Sequence, residues 1–210
     1  MIEKLKIFEN EEFMKACAII AFFGGFLVAS LTFSAFGRPD AQVPFYIVQG
    51  LLAIFLYRSY REHEKNVMKG LLGALLCELL LSEFCYIFGA FSERLENMFS
   101  AGFGEGFMFI IIESIIIGMQ ILMFINHFAI NSDHHSSPGK IKLNQYLLLG
   151  VMLVLLLQKI VFALVIGISD TARVIWQASW FVFEICTYAL IICIESRLDF
   201  FRIIREGGKA

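Results

Sequence analysis

The chain has 210 residues, 59% of them apolar and only 17% charged, with a net charge of −2 and a mean hydropathy of +0.75. Ordinary soluble domains are about half apolar and about a quarter charged, so this composition points to a membrane domain. The balance of charge leaves no basic patch for nucleic acid, and three prolines without a Gly/Ser-rich or Pro-rich linker leave no domain boundary.

A block of about 18 or more apolar residues with few charges reads as a membrane span. Six such blocks follow one another at 16–36, 43–57, 67–91, 107–130, 146–169 and 174–195, the second of them short. Spanning backbone must satisfy its own hydrogen bonds, so each block is expected to be helical. The expected fold is therefore an all-α, polytopic six-transmembrane-helix bundle forming one membrane domain over 1–210.

Block 16–36 follows a stretch that holds Glu3, Glu9, Glu11 and Glu12, and no A-x-A site comes after it. This marks a retained helix and not a signal peptide. Its Ala21, Gly25 and Ala29 form a small-xxx-small ridge, a device for close helix packing and a possible face for a protein partner. The loop "GRPDAQ" then forces an antiparallel neighbour, and Gln42 and Gln49 fall seven apart on span 2.

Span 3 carries two buried-type acids. Glu78 shares a face with Ser82 and Cys85, whereas Glu83 points about 140° away. The following stretch, "SERLENMFSAGFGEG", reads as a longer outer loop able to hold a re-entrant or interfacial piece. In span 4, Glu113, Gln120 and His127 are spaced by seven and form one polar stripe. That stripe covers about 21 Å of a hydrocarbon core about 30 Å thick.

His127 also opens the stretch "NHFAINSDHHSSPGK", where Asp133, His134 and His135 complete a weak candidate metal set. Four histidines in the chain are too few for a multi-histidine di-iron oxygenase. Span 5 holds Lys159 near its middle, and after "SDTA" span 6 repeats the seven-residue device with Gln177 and Glu184. Its "EICTY" echoes "EFCY" of span 3, as three-plus-three inverted repeats would. The tail 196–210 alternates Phe/Ile pairs with Arg, the pattern of an interfacial helix that anchors the chain or meets a partner.

Thirteen basic residues lie at the two ends and in the second and fourth loops, against Arg38, Arg94 and Arg173 in the alternate loops. Positive charge stays cytoplasmic, so both termini are expected inside, in the plasma membrane. All five cysteines fall inside apolar blocks and read as small apolar residues, without a disulfide framework.

Ionisable residues within spans are costly and mark function by default. The expected solute- or ion-binding set is Glu78, Glu83, Glu113, Gln120, Lys159, Gln177 and Glu184. Four carboxyls face one ammonium: Glu184 or Glu78 is expected to pair with Lys159, and the surplus calls for protons, water or a bound cation. The reading that follows is a small transporter or solute-binding membrane subunit for a proton, a cation or a cationic or zwitterionic solute. A membrane sensor or partner-binding module without transport is the alternative. An intramembrane metal-dependent enzyme stands third, because no G-x-S-x-G, H-E-x-x-H or paired-aspartate motif is present and none names a cofactor.

Overall fold

The computed structural model describes residues 10–36, 42–101, 104–132, 143, 146–147, 149–151, 153–154, 157 and 171–207. The fold is all-helical. Five helices are delimited: α1 (Glu11–Phe36), α2 (Val43–Arg61), α3 (Lys65–Ala101), α4 (Gly104–Ser132) and α5 (Thr171–Gly207). The described residues between 143 and 157, all but Leu143 within the fifth predicted span, are helical as well.

Local chemistry sets several of the ends. Asn10 caps α1 by accepting from the Glu12 N–H at 2.9 Å, and Glu11 and Glu12 place negative charge on the first turn. Pro44 occupies the first turn of α2, where a missing N–H costs nothing. Helix α2 closes with the Glu64 N–H on the Ser59 carbonyl at 3.0 Å and the His63 N–H on the Tyr60 carbonyl at 3.2 Å. That pair of bonds is a Schellman motif, and His63 takes its left-handed position with φ 59°.

The expected outer loop after span 3 is mostly helix. Helix α3 continues through "SERLENMFSA" to Ala101, and α4 begins at Gly104. Glu93, Arg94, Leu95 and Glu96 are good helix formers, and no glycine interrupts the sequence from Ser92 to Ala101. The tail likewise continues α5 without a break to Gly207.

The contacts fix relative directions. Ideal Cβ positions on Gly25 and Gly50 meet the carbonyl oxygens of Tyr46 and of Ala21 and Phe22, so α1 and α2 run antiparallel in close contact. The Trp176 indole N–H donates to Thr32 Oγ1 at 2.9 Å, and Gly24 abuts Phe183, so α1 and α5 are antiparallel too. Helix α2 is parallel to α5: Tyr46 meets the ring of Phe183, and Arg197, 137 positions beyond Tyr60, donates to that tyrosine's hydroxyl. Helix α4 is also parallel to α5, with Gln120 against Tyr188 and His127 against Glu195.

Every position from Thr187 to Glu195 is buried, which makes this part of α5 the centre of the bundle. The outward faces are apolar instead. Phe23 and Leu27 of α1, Phe55 of α2, Leu81 of α3, Leu122 and Ile125 of α4 and Val182 of α5 are all exposed.

Two helical stretches are long and apolar enough to cross a membrane, Glu11–Thr32 and Val174–Glu195. The other four predicted spans do not reach that standard among the described residues. Helix α2 has polar Tyr, Gln and Arg at intervals over its 19 residues. Helix α3 has Lys65, Lys69, Glu78 and Glu83 before its described side chains end at Cys85. The described apolar stretch of α4 is the shorter Ser114–His127.

The small-residue ridge of α1 is buried within the chain. Ala21, Gly25 and Ala29 are covered, with α2 as the neighbour at Gly25. Of the cysteines, all free, Cys17 and Cys193 are buried as expected, Cys77 and Cys186 are half-buried and Cys85 is exposed.

Candidate functional site

Three helices bring polar side chains to the centre of the bundle. Helix α3 supplies Glu78 and Glu83, α4 supplies Gln120, and α5 supplies Glu184 and Tyr188, all of them buried. The arrangement follows from helical period. Glu184 and Tyr188 are one turn apart on α5, and Gln120 occupies the matching level of its parallel neighbour.

Gln120 Nε2 donates to the Tyr188 hydroxyl at 2.8 Å. Around that hydroxyl the charges gather: Tyr188 lies within electrostatic reach of Glu184, Glu83 and Glu78, and Glu78 within reach of Glu184. Like charges brought together in a low-dielectric interior repel strongly, so the group requires protons or cations to be stable. Glu83 and Glu184 each take part in further interactions. Glu78 is 6% exposed, and neither of its carboxyl oxygens has a hydrogen-bond partner among the described residues.

Two turns further along both helices, the same α4/α5 seam holds a second polar contact. His127 Nδ1 lies 3.9 Å from Glu195 Oε1, with both side chains buried. The separation of the partners is the same as for Gln120 and Tyr188, so the two contacts repeat every seven residues along a parallel helix pair. Between them the seam is apolar, with Met123, Ile191 and Ile192 buried. Beyond Glu195, the Arg197 guanidinium sits 5.2 Å from the centre of the Tyr60 ring and ties α5 to α2.

Five of the seven residues expected to bind solute can be placed. Glu78, Glu83, Gln120 and Glu184 come together. Gln177 lies two turns before Glu184 on α5 and is half-buried. Glu113 is on α4, with its side chain outside the described set, and Lys159 lies outside the described residues. Of the candidate metal ligands, His127 faces Glu195, while Asp133, His134 and His135 lie outside the described residues. Among the described residues no group of three His, Cys, Asp or Glu side chains is arranged to hold a metal ion.

Tyr188 and Glu195 were not among the residues expected to act. Tyr188 appeared only as the end of the "EICTY" echo, since a tyrosine carries no charge to mark it. Glu195 closes span 6 beside Ser196 and Arg197, where the expected interfacial tail begins. Its seven-residue match to the α4 stripe through His127 was the available signal. Comparison with known protein families, with curated proteins and with solved structures finds no match for this chain.

Proposed function

We propose that the chain is a six-pass helical membrane protein with both ends in the cytoplasm, acting as a small transporter or solute-binding membrane subunit. Its central site handles a proton, a cation or an amine-bearing solute. The observation that carries this reading is the gathering of Glu78, Glu83 and Glu184 around the Gln120–Tyr188 pair, inside helices whose outward faces are apolar. A soluble monomer rarely exposes broad apolar surface, and an aqueous exterior would favour the reverse distribution.

Topology supports the six passes. Because α4 and α5 are parallel, the chain between Ser132 and Thr171 has to return across the bundle. The helical residues between 143 and 157 belong to that return, and an ideal Cβ at Gly150 meets Met119 of α4 at 3.2 Å. The excess of basic residues in alternate loops supports the orientation.

The test is electrical recording from the reconstituted protein on a solid-supported membrane during jumps in proton, alkali-cation and methylammonium concentration. The wild type is expected to respond to at least one jump, and Glu184→Gln or Glu78→Gln to reduce that response at least tenfold while the protein stays monodisperse. Equal responses in both variants, or none from the wild type, would remove the transport reading.

A second reading has one observation in its favour. Helix α5 runs unbroken from Glu184 to Gly207, so occupancy of the central site could shift the cytoplasmic tail as a rigid rod. A sensor of this kind would bind the same solute without moving it and would copurify with a partner through the tail.

A further inference from the structure

Glu78 is not alone in lacking a partner. Gln49 of α2 is 0% exposed, and both its Oε1 and its Nε2 are buried with no hydrogen bond to any described residue. Gln120 is 2% exposed, and while its Nε2 serves Tyr188, its Oε1 is buried and unpartnered. Native interiors leave few such atoms, and each one points to something that satisfies it.

Register places these atoms at one depth. On the α2/α5 pair, Tyr46 meets Phe183 and Tyr60 meets Arg197, an offset of 137 at both contacts. The same offset sets Gln49 opposite position 186, between Glu184 and Tyr188. Gln120 is already joined to Tyr188. Glu78 is within electrostatic reach of both Glu184 and Tyr188. The α2–α3 hairpin agrees: Gln49 lies about 18 Å before the end of α2 and Glu78 about 20 Å after the start of α3, at 1.5 Å per residue. Gln49 also stands on the covered face of α2, with Gln42, Tyr46, Ala53 and Leu56.

The chemistry of the set is distinctive. It consists of one carboxylate without a described counter-charge and two neutral amide oxygens, drawn from α3, α2 and α4. Hard oxygen donors suit hard cations, and soft or imidazole-seeking metals are poorly served by them. Among the described residues no three acidic side chains are arranged to hold a metal, the arrangement that would most favour a divalent ion. Glu83 and Glu184 each take part in interactions of their own, and the orphaned set itself carries a single negative charge, on Glu78.

We infer that Glu78, Gln49 and Gln120 form a binding site for a single monovalent cation of the sodium, potassium or ammonium class. This rests on the proposed function and names the ion its central site takes. Gln49 thereby joins the site as a ligand of the ion, and Tyr188 acts by holding the Gln120 amide so that its oxygen faces inward.

Thermal unfolding of the purified full-length protein in lipid nanodiscs tests the site without any need for transport. Sodium, potassium and ammonium chloride are each titrated against choline chloride at constant ionic strength, and at several pH values. At least one of the three salts is expected to raise the unfolding temperature saturably over choline, and the strongest of them names the ion. Glu78→Gln should abolish the effect, Gln49→Leu and Gln120→Leu should weaken the apparent affinity at least tenfold, and the surface variant Glu62→Gln should leave it unchanged.

Stabilisation that responds to pH and to none of the three salts would assign the site to a proton and overturn the inference. So would a salt effect that survives in Glu78→Gln. If Glu78→Gln proves unstable, the two glutamine variants carry the test, and full affinity in both removes the site. A missing salt effect beside intact electrical responses to protons or methylammonium removes this site alone. A clear salt effect with no electrical response removes transport and leaves a cation-binding sensor.

Discussion

At the scale of single residues, close approach is the device on which the bundle depends. Gly25 allows α1 to lie so near α2 that a Cβ there would stand 2.3 Å from the Tyr46 carbonyl oxygen. That oxygen belongs to the helical backbone of α2 and cannot swing aside, so the helices must part. Gly25→Ala is expected to destabilise the protein by about 2–3 kcal/mol, the range for overpacking a tight interface. Gly70, with nothing within 4 Å of its ideal Cβ, is the control. There Gly70→Ala gains helix propensity and should stabilise by up to about 1 kcal/mol. Unfolding midpoints of the two variants measured side by side decide the point, and a neutral Gly25→Ala would contradict the geometry. The ridge that contains Gly25 was legible as a packing face because small residues recur every four positions. Its partner was not legible, since the pattern marks closeness without naming the neighbour. The polar centre divides in a similar way. Glu78, Gln120 and Glu184 stood out as costly residues within apolar helices. Gln49 did not enter the expected site, because no charged residue shares its stripe as Glu113 does for Gln120. Nor did Tyr188, whose stripe-mate Glu195 stands at the very end of its span. What a neutral group meets, or fails to meet, shows only in the fold.

At the scale of elements, the joint between α2 and α3 shows how a turn sets depth. The chain reverses over three residues, and its Schellman bonds hold the reversal in one geometry. Any change in that joint would move Glu78 along the bundle relative to Gln49. The left-handed position is taken by His63, a residue whose Cβ makes this conformation unfavourable by about 1–2 kcal/mol where glycine would be free of strain. His63→Gly should therefore raise stability by about 1 kcal/mol, and the β-branched His63→Val should lower it by about as much. Denaturation of both variants checks this, and the same sign of change in the two would show that the side chain, not the backbone, governs the joint. The helix-forming stretch after Glu83 carries the opposite lesson. "SERLEN" is charged, and charge between apolar blocks reads as a loop. Yet its residues are good helix formers, and α3 simply continues, reaching about 55 Å where the hydrocarbon core needs about 30 Å.

At the scale of the whole molecule, parallel packing of α2, α4 and α5 is what lets polar groups meet in levels. Helices joined by short turns are antiparallel, so a common level between parallel helices arises only when a returning helix separates them in the chain. The seven-residue stripes in spans 2, 4 and 6 already belonged to alternate blocks. The shared direction of α4 and α5 lets the span 4 stripe meet Tyr188 and Glu195, a second seven-residue pair on α5 beside the Gln177/Glu184 stripe. Two of the contacts, Gln120 with Tyr188 and His127 with Glu195, occupy successive levels of one seam. The apolar turn between them, with Met123, Ile191 and Ile192, separates the central carboxyls from the His127–Glu195 pair. This arrangement places Ser132, at the end of α4, and Thr171, at the start of α5, at opposite ends of the bundle, and the proposed topology then puts them on opposite sides of the membrane. A membrane-impermeant maleimide added to right-side-out vesicles, with labelled peptides located by mass spectrometry, reads that directly. Thr171→Cys should react from outside at once, whereas Ser132→Cys should react only after the vesicles are permeabilised. Reaction of both from the same side would break the parallel pairing at its root, because no helical path could then carry α4 and α5 across the membrane in one direction.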